Sequence, residues 1–254
     1  MKLARDTWLI LQRQLMLVTR SPVRVAFGLA QPITYLLLFA PMLKLALHNA
    51  GVTTYLQAYR IYVPGLLTVM AIIGGLFSGF GLLAEIRSGI IERARVTPVS
   101  RVALMLGRGL REVIMLLAQA VIITVLALPF GLRVGLGDLL LAYVLLALLS
   151  MMAVSLSYGI TMRVRNEGAL GPVIQTAAQP LMLLSGVLLP LTLAPLWMLQ
   201  IAHWNPFYWA TNGMRALFAG DITAFSVWLS LVILVGLAAA AMTWSVRLFA
   251  RSIR

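Results

Sequence analysis

Charged side chains punctuate this chain at long intervals, and uninterrupted apolar stretches lie between them. Residues 25–43 run between Arg24 and Lys44, 61–84 between Arg60 and Glu85, and 113–132 between Glu112 and Arg133, each free of charge. A fourth stretch, 139–162, follows Asp138 and stops at Arg163. The uncharged run that begins at Gly168 supplies a fifth at 169–190, and 224–246 completes the set. Each approaches the roughly 20 residues a helix needs to cross a bilayer core, where an unsatisfied backbone group is costly. The pattern predicts an all-α integral membrane protein of six transmembrane helices, organised as one transmembrane domain over residues 1–254. Sixteen of the 20 Lys and Arg lie before the first stretch, between the second and third, between the fourth and fifth, and after the sixth. Only Lys44, Arg60, Arg133 and Arg215 lie in the alternate segments. Basic residues stay on the cytoplasmic side, so both termini are expected there.

The segments between the stretches carry their own patterns. In residues 1–23, Ala4, Trp8, Leu11, Leu15 and Val18 recur at helical spacing, with Asp6, Arg13 and Arg20 on another face. That is an amphipathic helix, either lying in the headgroup layer with Trp8 at its boundary or standing as a solvated leader. Ser21 and Pro22 then suit the cap and first turn of the first span. In the segment 85–112, Pro98 ends any helix begun near Glu85, and Ser100 can cap a new one running into the third span. A short charged helix held between two spans can serve as a lever, or be ordinary connecting charge. The outer segment 191–221 is apolar but broken by prolines, with Trp197, Trp204, Trp209 and Tyr208 around Asn205-Pro206. It reads as short helices that re-enter or lie on the outer interface, or as an interfacial loop with an aromatic belt.

Composition sharpens this picture. With 61% hydrophobic and 11% charged residues and a mean hydropathy of +0.97, lipid must be the solvent. A net charge of +13 in a soluble protein would suggest nucleic acid, but here the basic residues sit between apolar windows and set orientation, so no nucleic-acid partner is expected. There is no cysteine, which removes thiol nucleophiles and thiolate metal sites. Nothing near the start resembles a removable signal peptide. The six stretches hold no ionisable carboxylate, which argues against proton- or sodium-coupled transport. His48 and His203 map to the outer side without ligand-spaced neighbours, so neither catalytic nor metal residues are expected. The only lysines, Lys2 and Lys44, follow Met1 and Leu43, so the Gly-Lys of a phosphate-binding loop does not occur. If ATP powers this protein, another chain hydrolyses it, and this chain is expected to hold no cofactor and to be no enzyme.

Two stripes inside the spans stand out. Ala71, Gly75 and Gly79 are four apart and would permit close helix packing in lipid. Gln175, Gln179, Met182 and Gly186 share a face that should meet protein or a cavity, as packing glue or as a substrate wall, with Pro172 and Pro180 beside it.

The run Glu85, Gly89-Ile-Ile-Glu92-Arg93, Thr97-Pro98-Val-Ser-Arg101 and Leu106-Gly107-Arg108 resembles the corresponding loop of ABC type-2 export permeases. Leu184-Ser185-Gly186 through Pro190, then Asn205-Pro206-Phe207-Tyr208 and Gly213-Met214-Arg215, resemble their later segments in the same order, and the likeness covers essentially the whole chain. It is most similar to the daunorubicin-type drug-resistance branch, with lipo-oligosaccharide and polysaccharide exporters near. The resemblance implies a permease that pairs with a second copy, identical or related, and docks two cytoplasmic ATPase subunits that bind ATP and Mg. It implies a coupling helix within 85–101, with Glu85, Gly89, Glu92, Arg93, Thr97, Pro98 and Arg101 as ATPase-facing residues, and a smaller contact at Asn166 and Glu167. Substrate would meet Gly75, Phe77, Gln175, Gln179 and Met182, while Trp204, Asn205, Pro206 and Arg215 would belong to short outer gate helices. It further implies a multi-pass protein of the bacterial cytoplasmic membrane, in contact with its lipids. Rival readings are an ATP-independent carrier or channel and a membrane-embedded enzyme acting on lipid.

Overall fold

The computed structural model describes residues 2–19, 22–46, 54–89, 100–187, 191 and 194–251. Among them the regular elements are all helical: α1 Lys2–Thr19, α2 Pro22–Ala46, α3 Tyr55–Arg87, α4 Arg101–Ala127, α5 Leu136–Val164, α6 Glu167–Leu183, α7 Leu196–Ala202, α8 Pro206–Ala219 and α9 Phe225–Arg251. A 3-10 turn, Leu128–Phe130, extends α4. Among the described residues, four helical stretches are long and apolar enough to cross a membrane: Tyr55–Arg87, Val102–Phe130, Leu136–Val164 and Phe225–Arg251. They carry the expected second, third, fourth and sixth spans. The first expected span falls in α2, which has 25 residues.

One expected boundary is met and one moves. Ser100 caps α4 as expected, with Ala103 N donating to its Oγ at 3.0 Å, and the helix runs unbroken from Arg101 into the third expected span. Residues 101–112, the second part of the connecting segment 85–112, are thus its first turns. The fifth span was expected to reach 190, yet α6 has 17 residues and ends at Leu183. Ser185 Oγ donates to Met182 O at 2.6 Å, and Gly186 takes φ 69, a conformation that turns the chain away. Pro172 and Pro180 both lie inside α6 without interrupting it. Residues 90–99, with Glu92, Arg93, Thr97 and Pro98, lie outside the described residues, as do Ser21 and His48.

Helix α5 is the centre of the bundle, packed along α3 on one side and α9 on the other. The small-residue stripe of α3 makes the first contact close. Gly75 lies on Ala153, and a Cβ on Gly79 would stand 2.3 Å from Thr161 Oγ1. Gly79 N donates to Ser157 Oγ at 3.0 Å, and Ser157 Oγ donates in turn to Leu76 O, so backbone polar groups bridge two helices where side chains are absent. Helix α8 enters this core: Phe207, Ala210, Met214, Leu217 and Phe218 are buried between α3, α5 and α9.

Helix α1 packs on α4 through Thr7, Leu11 and Gln14, all buried, with Ile10 against Gly107. A Cβ on Gly107 would stand 2.7 Å from Ile10 Cγ2, so glycine is what permits the approach. The expected apolar row splits accordingly. Leu11 faces protein, whereas Ala4 and Trp8 are exposed.

Candidate functional site

The end of the bundle that carries the arginines is built from three helices. Glu85, near the end of α3, pairs with Arg108 Nη2 of α4, and Arg108 is only 6% exposed. Gln14 of α1 donates through Nε2 to Glu85 Oε1 at 3.3 Å. One turn further along α4, Arg111 Nη1 pairs with Glu112 Oε1 at 2.7 Å. Ion pairs this enclosed owe their persistence to mutual neutralisation, since either charge alone would be strongly disfavoured in a low dielectric. Sequence reading assigned a role to Glu85 but none to Gln14, Arg108, Arg111 or Glu112. The signal was within reach: a helix capped at Ser100 places Arg108, Arg111 and Glu112 on neighbouring turns.

Closer to the surface, Arg87 at the end of α3 pairs with Glu167 at the start of α6, both side chains more than half exposed. Among the described residues, the end of α3 and the start of α6 are therefore adjacent. Gly89 follows with φ 69, and the first residue of α4 is Arg101. Asn166 caps α6 by accepting from Gly168 N at 3.0 Å. Between α5 and α6 the chain turns through Arg165 at φ 48, whose Nε donates to Met162 O at 3.2 Å. This is a left-handed conformation that costs an L-residue about 1–2 kcal/mol.

At the opposite end, the segment 191–221 carries two short helices, α7 and α8. Asn205 joins them to the rest of the bundle twice: its Oδ1 accepts from Phe207 N at 3.0 Å, capping α8, and its Nδ2 donates to Leu181 O of α6 at 2.8 Å. Pro206 opens α8, where a missing N–H costs nothing. Arg215 Nη2 donates to Gly186 O at 2.6 Å and to Val187 O at 3.4 Å, and its Nε donates to Ile61 O of α3 at 3.4 Å. Burial lowers its pKa to about 10, still far above neutrality, so the guanidinium stays charged against these carbonyls. Trp204 is 90% exposed. His203 stacks on Trp209 with ring centroids 5.5 Å apart, and Trp209 Nε1 donates to His203 O at 2.9 Å.

The residues expected along a substrate path do not form one surface. Gln175 and Gln179 are exposed, beside the buried row Leu170, Ile174 and Ala178, so within this chain they face neither protein nor cavity. Met182 borders a cavity of about 260 Å³ with Tyr35, Tyr62 and Val187. Gly75 borders another of about 190 Å³ with Arg111 and Glu112. Phe77 stacks on Phe80, 5.9 Å between centroids.

Comparison with known proteins agrees with this geometry. The ABC-2 type transporter family matches residues 5–219. The chain is 25% identical over 241 residues to the daunorubicin resistance ABC transporter permease protein DrrB1 of Streptomyces coeruleorubidus, covering 94% of this chain and 84% of that one. It is 26% identical over 212 residues to ycf38, named as a transport permease, of Porphyra purpurea, covering 83% of this chain and 72% of that one. An all-helical bundle with four membrane-crossing helices, charge gathered at one end and a matching family over most of its length make this a multi-pass permease component of an ABC transporter, and the chain belongs to the ABC-2 type transporter family.

Proposed function

We propose that this chain is the membrane half of an exporter that moves a hydrophobic or amphipathic substrate, such as a drug, lipid or glycolipid, outward by alternating access. In this reading α2 and α6 complete six spans, both termini are cytoplasmic, and the membrane is a bacterial cytoplasmic membrane, as the Streptomyces relative suggests. ATP and Mg belong to separate cytoplasmic ATPase subunits, because this sequence contains no phosphate-binding loop.

One observation supports the reading: Arg87 and Glu167 join the end of α3 to the start of α6, close to the linkage of Glu85 with the buried Arg108 and Gln14. A displacement applied there by closing ATPase subunits would move α1, α3 and α4 together, since packed helices shift as units and buried ion pairs resist separation. At the far end, Asn205 ties the start of α8 to Leu181 O in the last turn of α6, and Arg215 ties α8 to Gly186 O in the turn that follows, so both would relay movement of α6 to the outer segment. Transport also needs the two states to differ in their contacts with ATPase and substrate. The exposed Gln175 and Gln179 support a second permease copy, because amides left against lipid are unfavourable unless another surface covers them.

The test is co-purification with the native ATPase. Glu92→Ala, Arg93→Ala and Arg87→Ala should each weaken docking while membrane insertion stays normal, and unchanged docking in all three removes the proposed lever. Orientation is tested on the cysteine-free background. Ser88→Cys should resist an impermeant reagent applied outside and Trp204→Cys should react; the reverse labelling overturns the assignment.

A further inference from the structure

Helices α5 and α9 run parallel. Ser155 Oγ donates to Met242 Sδ at 3.5 Å, and the Trp244 ring lies on Gly159, where a Cβ would stand 2.0 Å from Trp244 Cζ3. One turn on, Met162 and Phe249 share a buried cluster. Beside this seam lies a cavity of about 290 Å³, bordered by Met152 and Leu156 of α5, Pro206 of α8, and Leu237, Ala240 and Trp244 of α9. Its walls are wholly apolar. From the exposed Phe225 that opens α9 to Trp244 the helix rises about 28 Å, close to the roughly 30 Å of a hydrocarbon core. Trp244 therefore stands at the boundary on the arginine-bearing side. From Leu237 to Trp244 the cavity follows about 10 Å of that leaflet.

Beyond the ring the charge is one-sided. Arg163 follows Gly159 by one turn of α5, and Arg247 and Arg251 follow Trp244 by one and two turns of α9. Residues three, four and seven apart share a helix face, so the three guanidiniums continue the line of the cavity. All three residues are exposed, and among the described residues their side chains form no ion pair or hydrogen bond. Trp244 Nε1 likewise has no acceptor among them. Helix α9 contains no Asp or Glu, and the acidic residue of α5, Asp138, lies in its first turn at the other end. Arg108 and Arg111 are neutralised by Glu85 and Glu112; these arginines are not.

Unpaired guanidiniums at a bilayer surface attract anionic headgroups, and phosphate oxygens fit their donor fork. The apolar furrow that leads up from them suits an acyl chain. A soluble anion would gain nothing from the furrow, and a zwitterionic lipid would bring a cation among the arginines. We infer that the furrow between α5 and α9 holds a resident anionic phospholipid, its phosphate at Arg163, Arg247 and Arg251 and one acyl chain over Trp244 along Ala240 and Leu237. The lipid is a bound component and not the cargo, so the inference is independent of the export reading.

The full chain in phosphatidylcholine nanodiscs is labelled with photoactivatable phosphatidylglycerol or photoactivatable phosphatidylcholine of the same tails, and the labelled peptides are mapped. Ala239 and Ala240 are both exposed, yet only Ala240 borders the cavity. Ala240→Phe should abolish phosphatidylglycerol labelling of the furrow, and Ala239→Phe should leave it intact. Arg163→Gln combined with Arg247→Gln should lower that labelling about tenfold, the worth of a charge-assisted hydrogen bond. Arg5→Gln combined with Arg13→Gln removes the same charge from exposed positions on α1 and should change nothing. Equal labelling by the two probes, equal losses in the two double variants, or wild-type labelling of Ala240→Phe would each overturn the site. Disulfide formation between two Ala240→Cys chains would give the furrow to a second copy, and loss of labelling on adding the native ATPase would give the arginines to that partner. Either result overturns the resident lipid.

Discussion

Arg108 of α4 and Glu85 of α3 form an ion pair with side chains 7% and 23% exposed, which joins two long helices near the end of α3 and the start of α4. Each charge depends on the other. Glu85→Ala leaves a buried guanidinium uncompensated and should cost about 3–5 kcal/mol, while the apolar pair Glu85→Met with Arg108→Met should recover most of that loss. Thermal unfolding in detergent measures both. A single variant as stable as wild type would show that the pair contributes nothing to the fold.

Helix α8 is held by Asn205 and Arg215 through Leu181 O in the last turn of α6 and Gly186 O just beyond it. Asn205→Ala removes a helix cap and a hydrogen bond and should cost about 1–2 kcal/mol. Arg215→Lys should not preserve stability, because an ammonium cannot reach Gly186 and Ile61 carbonyls with one planar fork. Both side chains secure the same turn, so the double variant should lose less than the sum by at least about 0.5 kcal/mol in a double-mutant cycle. Strict additivity would separate the two contacts.

Glycines of α3 should respond to alanine with opposite signs. A Cβ on Gly79 would collide with Thr161 Oγ1 and Ser157 Oγ, whereas one on Gly81 would meet nothing within 4 Å. Gly79→Ala should therefore destabilise by about 1–3 kcal/mol. Gly81→Ala should stabilise by about 0.5–1 kcal/mol by reducing the freedom of the unfolded chain. Parallel melting curves check the pair, and the same sign at both positions would contradict the close α3 and α5 seam.

The turn between α5 and α6 stores strain at Arg165, φ 48. Arg165→Gly should relieve up to about 1 kcal/mol and raise the melting temperature by about 2–4 °C. A fall instead would mean that the side chain, through contacts such as its bond to Met162 O, holds the turn more strongly than the backbone resists it.

Much of the bundle was legible because hydropathy reports what solvent a segment needs. The windows 61–84, 113–132, 139–162 and 224–246 fall on the four membrane-crossing helices, and Ser100 announced its helix through capping chemistry. The window 169–190 overran α6 because apolarity continues past Leu183 while the backbone turns at Gly186. Trp8 and Leu11 share an apolar row by spacing, yet α1 lays Thr7 and Ile10 on Gly107 and buries Leu11 while leaving Trp8 exposed. Neighbour size decided which side is covered.

By itself the sequence determined that this chain lives in lipid, how its apolar helices are spaced, and that its basic residues gather in alternate segments, because each is a property of composition and order along one dimension. Which charges become partners was decided only by the tertiary structure. Gln14, Glu85 and Arg108 are separated by many residues and meet because α3, α4 and α1 converge. The furrow between α5 and α9 is likewise shaped by the Trp244 ring lying on Gly159, a matter of packing geometry that no periodicity encodes.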